Sequence, residues 1–270
     1  MSLSDLSKQL DARKQTSTKE QPYAMGRQTV RKARTDLTNK DFEANIKLKT
    51  MPAVKWLEVQ FPKVFVDEIN QYIDDVVIPK NEDYSNRLVG QLGSEKSAQL
   101  DFPLKGHETG EQFKKVLENL GMSFIQKPYN RMSSVECFEC WTVHSYEGDY
   151  NPMHDHGVKT QSGLSCILYL KVPDSIKNKP KIEVPNLNHA SGEIDGWTQF
   201  QWGVNTMKDI YQLREQTQHV VRPVEGKLLM FPCWLNHMVW PFRGEGERRT
   251  LSANFNIHDS PEVTKQFSER

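Results

Sequence analysis

Three histidines are spaced so that they can meet at one cation. His154 and His156 lie in Asn151-Pro152-Met153-His154-Asp155-His156-Gly157, after a predicted strand and a Gly148-Asp149 turn. Residues two apart on an extended segment project to the same side, so both rings can approach a metal at about 2.0–2.1 Å while Asp155 faces away. Alone, the pair is explained as well by a solvated loop. The distant partner is His237, which opens a strand after Phe231-Pro232-Cys233-Trp234-Leu235-Asn236. A third ligand from a second strand closes one face of an octahedral ion and leaves the opposite face open. His107, His144, His189, His219 and His258 stand in unrelated contexts and are expected to be hydrogen-bonded or exposed.

Eleven residues after His237 begins Arg248-Arg249-Thr250-Leu251-Ser252-Ala253-Asn254. Its alternation places Arg248, Thr250, Ser252 and Asn254 on one face of a strand. A buried guanidinium with a hydroxyl two residues on makes a bidentate, charge-assisted clamp for a carboxylate, and a dicarboxylate co-substrate suits it. The simpler alternative is a solvated Arg pair at a strand start. Cys137 and Cys140 have the spacing of a zinc knuckle, but no second such pair exists and residues three apart on a strand face opposite ways, so a structural role is expected. Trp197, Trp202, Trp234 and Trp240 offer stacking surfaces, which in a β sandwich are more often core or rim packing.

The elements that must position these residues follow from periodicity. Apolar density begins with Val54, Trp56, Leu57, Val59 and Phe61, and Phe65, Ile69, Tyr72, Ile73 and Val76 then recur at helical spacing. A second helix is predicted over 108–120, with Phe113, Val116, Leu117 and Leu120 on one face and Gly121 as its stop. Beyond residue 132 come short β-branched and aromatic runs at 135–145, 164–172, 197–202, 219–223, 227–231, 237–241 and 248–257. That is the pattern of an antiparallel sandwich or barrel. Residues 173–216 are loop-rich, the usual mark of a lid or binding loop. The chain is therefore read as a flexible basic arm, 1–45, and one domain, 46–270. That domain has helical support over 52–125 and a β core over 130–258.

Basic and acidic residues balance at 35 each, which excludes neither enzyme nor binding module but disfavours a dedicated nucleic-acid binder. Residues 1–50 hold 11 basic and 6 acidic side chains. Such an arm suits contact with nucleic acid or an acidic partner, but a solubilising tail is the simpler reading. No run approaches the roughly 18 apolar residues of a membrane helix, and the start lacks a secretory core, so a cytoplasmic protein without membrane contact is expected. Four scattered cysteines fit a reducing compartment. The oligomeric state is not legible.

The order strand, HxH, Ser165-Cys166-Ile167-Leu168-Tyr169-Leu170, Gly226-Lys227-Leu228-Leu229-Met230-Phe231-Pro232, His237 and Arg248-x-Thr250 resembles the 2-oxoglutarate/iron(II) oxygenase superfamily. The likeness is greatest to the oxygenases of bacteria and phages related to prolyl hydroxylases, and it covers roughly residues 130–258. It implies a mainly β domain with flanking helices, a double-stranded β-helix of jelly-roll, cupin-like form. His154, His156 and His237 match the iron(II) ligands, and Arg248 and Thr250 match the residues that hold the remote carboxylate of 2-oxoglutarate. Tyr169 and Tyr146 match tyrosines of the co-substrate pocket. His156 stands where the superfamily commonly has Asp or Glu, and Asp155 replaces it only if the loop twists. The implied activity is a dioxygenase hydroxylating a peptide side chain or small molecule. Alternatives are an inactive metal-binding or structural module on the same fold, and a non-oxidative cupin-like enzyme using the same histidines.

Overall fold

The computed structural model describes residues 29–36, 41–48, 54–129, 133–178, 192–203 and 216–268. Two units divide after Ala53. The first holds an antiparallel pair, β1 (Thr29–Asp36) and β2 (Asp41–Leu48), in register from Thr29 opposite Leu48 to Asp36 opposite Asp41. These strands fall largely within the stretch read as a flexible basic arm, 1–45, and the rest of that stretch lies outside the described residues. Phe42, Ala44, Ile46 and Leu48 alternate with polar residues. A composition count over 45 residues averages away that period of two.

The second unit opens with β3 (Leu57–Gln60) and α1 (Lys63–Tyr72). The helix continues through a π turn, Ile73–Val77, into a last turn, Ile78–Lys80. Val66, Ile69, Tyr72, Ile73 and Val77 form its buried stripe. The wide turn lies just ahead of Pro79, which has no N–H to donate and crowds the carbonyl four residues back. Next come β4 (Ala98–Asp101), α2 (Glu108–Tyr129), β5 (Ser133–Ser145), β6 (Asn151–His154), β7 (Gly163–Lys171) and α3 (Asp174–Lys177). The chain ends with β8 (Thr198–Gln201), β9 (Gln218–Val221), β10 (Lys227–Pro232), β11 (Asn236–Val239), β12 (Arg248–Asp259) and α4 (Pro261–Ser268). Every strand expected beyond residue 132 is present, within two residues at either end.

Six strands form one sheet in the order β3-β10-β7-β12-β5-β4, and four form another, β6-β11-β8-β9. All pairings are antiparallel, as a double-stranded β-helix requires. β3 and β4 come from the stretch expected only as helical support, yet they form the two edges of the larger sheet. Alternation then sorts the core. Cys166, Leu168, Leu251, Ala253 and Phe255 pack with Ile69, Ile73, Phe113 and Leu117 of α1 and α2. Ile167, Tyr169, Leu229 and Phe231 point the other way and pack with Phe200 and Val221 of the smaller sheet. Residues 173–216 include α3 and β8, so this segment contributes a strand to that sheet; 179–191 and 204–215 lie outside the described residues.

Two local expectations are corrected by packing. α2 runs eight residues beyond Gly121, its expected stop. A Cβ at Gly121 would lie 2.7 Å from Val135 Cγ1, so the glycine lets helix and β5 approach closely instead of ending the helix. In β5 the register with β12 shifts between Asn254 and Phe255, leaving Phe138 as an extra residue. This bulge turns both Cys137 and Cys140 into the core, each 1 % exposed, where strict alternation had them on opposite faces. The structural role expected for them holds.

Arg249, adjacent to the candidate clamp Arg248, points to the helical side of β12. Its guanidinium meets Glu247 at 2.7 Å, Asp74 of the π turn at 2.7 Å and Asn70 of α1 at 3.1 Å. Glu247 also accepts from His144 Nδ1 at 2.7 Å and lies 3.3 Å from Lys171. Burial opposes the charged form of Glu247, but the His144 and Arg249 hydrogen bonds and the Arg249 and Lys171 charges outweigh it and pull its pKa from 4.5 to about 2. These contacts tie the start of β12 to α1.

Two stability outcomes follow. Gly to Ala inside a helix ordinarily gains about 1 kcal/mol. Here the clash with Val135 should reverse the sign, so Gly121→Ala should lose about 1–3 kcal/mol in denaturant melts and recover in a Val135→Ala background. For Glu247 the folded pKa is depressed, so its contribution is present above 4.5 and lost as pH falls towards 2. Wild type should thus melt above Glu247→Gln at neutral pH, and the gap should close on acidification through that window. A gap independent of pH would refute the ion-pair account.

Candidate metal centre

The smaller sheet brings two of the histidines together by register alone. His154 on β6 and His237 on β11 are direct cross-strand partners, an arrangement that places Cβ atoms about 5 Å apart. His156 lies just beyond β6, where its N–H donates to Cys233 O at 3.0 Å and carries the ring back over β11. All three offer one ring nitrogen within 4.8 Å of the others, and this is the one such metal-ligand group among the described residues. Asp155 is exposed and outside the group, so the extended segment keeps the orientation expected of it.

The ring tautomers are set by backbone carbonyls, which can only accept. His154 Nδ1–H donates to Pro152 O at 2.7 Å and His237 Nδ1–H to Leu235 O at 3.1 Å, so both Nε2 atoms are the unprotonated, lone-pair nitrogens. Burial, reinforced at His156 and His237 by neighbouring imidazoles, holds all three below the usual 6.5, His156 at about 3. They are therefore neutral, as metal ligation requires. His156 Nε2 and His237 Nε2 stand 3.2 Å apart. Two nitrogens bound to one ion at about 2.1 Å lie roughly 3.0 Å apart at a right angle and 3.4 Å apart at a tetrahedral one, so the spacing fits a shared cation.

The larger sheet supplies the other wall. Arg248 and Thr250 on the inner face of β12 line the same cavity of about 50 Å³ as the three rings. That space exceeds the roughly 10–15 Å³ that a single water needs. Arg248 is 2 % exposed. Its Nε donates to Gly196 O at 3.1 Å, Nη2 to Thr198 Oγ1 at 3.4 Å, and its guanidinium carbon sits 5.5 Å from the Tyr169 ring centre. No carboxylate pairs with it among the described residues. Burial pushes its pKa down, opposed by Tyr169.

The two tyrosines take different places from the clamp. Tyr169 is fully buried and hydrogen-bonds Thr198 Oγ1 at 2.8 Å, so it braces Arg248 from behind instead of lining the cavity. Tyr146 is half-buried in the turn after β5, gives its N–H to Asp149 at 2.8 Å, and is likewise not among the lining residues. Residues that the sequence reading passed over complete the site. Trp141 lies 5.7 Å from the His156 ring, Leu88 and Leu92 arrive from the segment before β4, and Gln99 arrives from β4 itself. Asn151 Nδ2 reaches His154 Nε2 at 3.4 Å while its Oδ1 is buried without a partner among the described residues. Asn151 shares the HxH segment and was the one of these within reach of inspection. Of the remaining histidines, His144 and His258 pair with Glu247 and Glu136, His107 packs at a tilt against Tyr72, His219 stacks on Trp56, and His189 lies outside the described residues. Trp234 is 53 % exposed, whereas Trp240 Nε1 donates to Gln199 at 2.9 Å.

Replacing His154 or His237 by Ala should weaken Mn(II) or Ni(II) binding by more than about 100-fold, the upper range for losing even an outer-sphere partner. Asp155→Ala should leave it unchanged. Calorimetric titration checks both, and a loss in Asp155→Ala with none in His156→Ala would show the carboxylate to be the ligand.

Comparison with known proteins bears on this geometry. Residues 139–254 match the family described as "Putative 2OG-Fe(II) oxygenase", which spans the HxH segment, His237 and Arg248. No curated protein sequence matches the chain. Among solved structures, the carbocyclase SnoK from nogalamycin biosynthesis is 9 % identical, with 81 % of this chain and 87 % of that one covered at a TM-score of 0.50. A Pseudomonas putida prolyl-4-hydroxylase is 14 % identical over 76 % and 92 % of the two chains at 0.46. The viral collagen prolyl hydroxylase of Paramecium Bursaria Chlorella virus-1 is 17 % identical over 74 % and 94 % at 0.44.

Proposed function

We propose, from the premise that residues 139–254 carry the core of the 2-oxoglutarate/iron(II) oxygenase superfamily, that the chain is an iron(II)- and 2-oxoglutarate-dependent dioxygenase. Its substrate is a peptide side chain or a small molecule, which it hydroxylates. One observation carries this reading: three neutral imidazoles and a buried guanidinium that has no carboxylate partner among the described residues border a single cavity. His154, His156 and His237 would hold the iron, and bound there with 2-oxoglutarate it supplies the capacity to activate dioxygen for C–H oxidation.

The chain's own part is to bind, orient and exclude water. Arg248 presents a planar fork to the remote carboxylate, preset by Gly196 O, Thr198 and the Tyr169 ring, so little freedom is lost on binding. Thr250, one step along the same face, adds a hydroxyl donor. The pair of backbone carbonyls on His154 and His237 keeps both Nε2 lone pairs aimed inward. Trp141, Val143, Ile167 and Val239 provide apolar walls that restrict water and strengthen the polar contacts between them.

A second reading has a specific motive. His156 replaces a ligand that is commonly a carboxylate in the superfamily, and an inactive metal-binding module on this fold would tolerate that. The two are separated by turnover and by stability. Anaerobic Fe(II) plus 2-oxoglutarate should give visible charge-transfer absorption, and aeration with a substrate pool should release succinate. Arg248→Ala should lower 2-oxoglutarate affinity at least about 30-fold, from the 2–5 kcal/mol lost when one partner of a buried charge pair is removed. Metal binding without absorption, succinate or any 2-oxoglutarate-dependent rise in melting temperature would leave only the inactive module.

A further inference from the structure

Positive charge is in excess at the cavity. Imidazoles ligate as neutral groups, so a divalent ion on His154, His156 and His237 keeps its charge of two, and Arg248 adds one more. None of these four side chains has an ion-pair partner among the described residues. The carboxylate on the cavity wall, Asp149, accepts from the N–H groups of Gly93 and Tyr146 and the hydroxyl of Ser97, all neutral donors, so it offsets one of these positive charges and leaves an excess. Arg248 donates only to neutral oxygens. Away from bulk water such charges interact several-fold more strongly. Ion and guanidinium therefore oppose one another until an anion joins both.

We infer that the cavity takes a divalent cation and a chelating dianion as a coupled pair, each bound far more tightly when the other is present, with the lack of a carboxylate at position 156 setting the strength of the coupling. This rests on the proposed function and deepens it. A carboxylate at position 156 would neutralise one charge of the ion permanently. An imidazole leaves that charge for the incoming ligand, so a keto diacid reaching from ion to guanidinium supplies the compensation that Asp149 does not. Coupling between two binding equilibria is reciprocal, and the site accordingly loads its metal when the diacid is abundant and releases it when the diacid is scarce.

The test is the ratio of Mn(II) affinities with and without saturating 2-oxoglutarate, measured by calorimetry on the full chain. Mn(II) avoids turnover, and the ratio cancels any intrinsic preference of the ion for nitrogen or oxygen. Wild type should show a ratio of at least about 30, within the upper part of the usual range for coupled sites. His156→Asp should bind Mn(II) more tightly alone and show a ratio about tenfold smaller. His156→Ala, which removes the ring without adding charge, should keep the wild-type ratio at lower affinity. 2-Oxobutanoate, a keto acid without the remote carboxylate, should give a smaller ratio than 2-oxoglutarate. His156→Glu serves if the Asp variant does not fold. Equal ratios in wild type and the acidic variant would overturn the inference while leaving the proposed function standing. No effect of 2-oxoglutarate on Mn(II) binding in either protein would overturn both.

Discussion

Burial of an arginine between two sheets is the costliest feature of this fold, and much of the architecture serves it. A guanidinium at 2 % exposure has lost nearly all of its water. Isolated charges in such places are retained only when fixed dipoles or a partner take water's role. Gly196 O, Thr198 and the face of Tyr169 supply part of that compensation. Gly196 itself is required there: it has φ +73, and a Cβ on it would sit 2.4 Å from Ile176. The rest of the compensation is left to whatever fills the cavity in front of Arg248.

The same strand handles two adjacent arginines by opposite means. Period two sends Arg248 between the sheets and Arg249 to the helices, where Glu247 and Asp74 neutralise it. The π turn ahead of Pro79 belongs to this second arrangement, since it carries Asp74. Backbone irregularity in a supporting helix thus helps to hold the end of β12 from which the unpaired arginine projects.

How much of this was legible depended on whether the information was local. The strands after residue 132, the inward face shared by Arg248 and Thr250, and the common side of His154 and His156 all follow from alternation within one segment. The convergence of His237 on that pair rested on the order of motifs and was met by cross-strand register. What escaped is set by contacts between segments remote in sequence. Gly121 reads as a helix stop until Val135 is placed against it, and the bulge at Phe138 depends on pairing with β12. Leu88, Leu92 and Gln99 reach the cavity only because β4 adds to the sheet edge beside β5. Tyr169 behaves as a brace through Thr198, a residue no local pattern distinguishes.

The pairing of β6 with β11 has a consequence for what the centre can become. His154 and His237 are joined through a backbone ladder, whose steps are whole residues. Sliding one strand by a single residue turns a ring outward, and sliding it by two carries the ring roughly 7 Å along the strand. The bite of those two rings is therefore digital, with no intermediate settings. Position 156 lies past the end of β6 and outside the ladder, so it is the one corner of the triangle free of those whole-residue steps, anchored to the turn before β11 by its own N–H on Cys233 O.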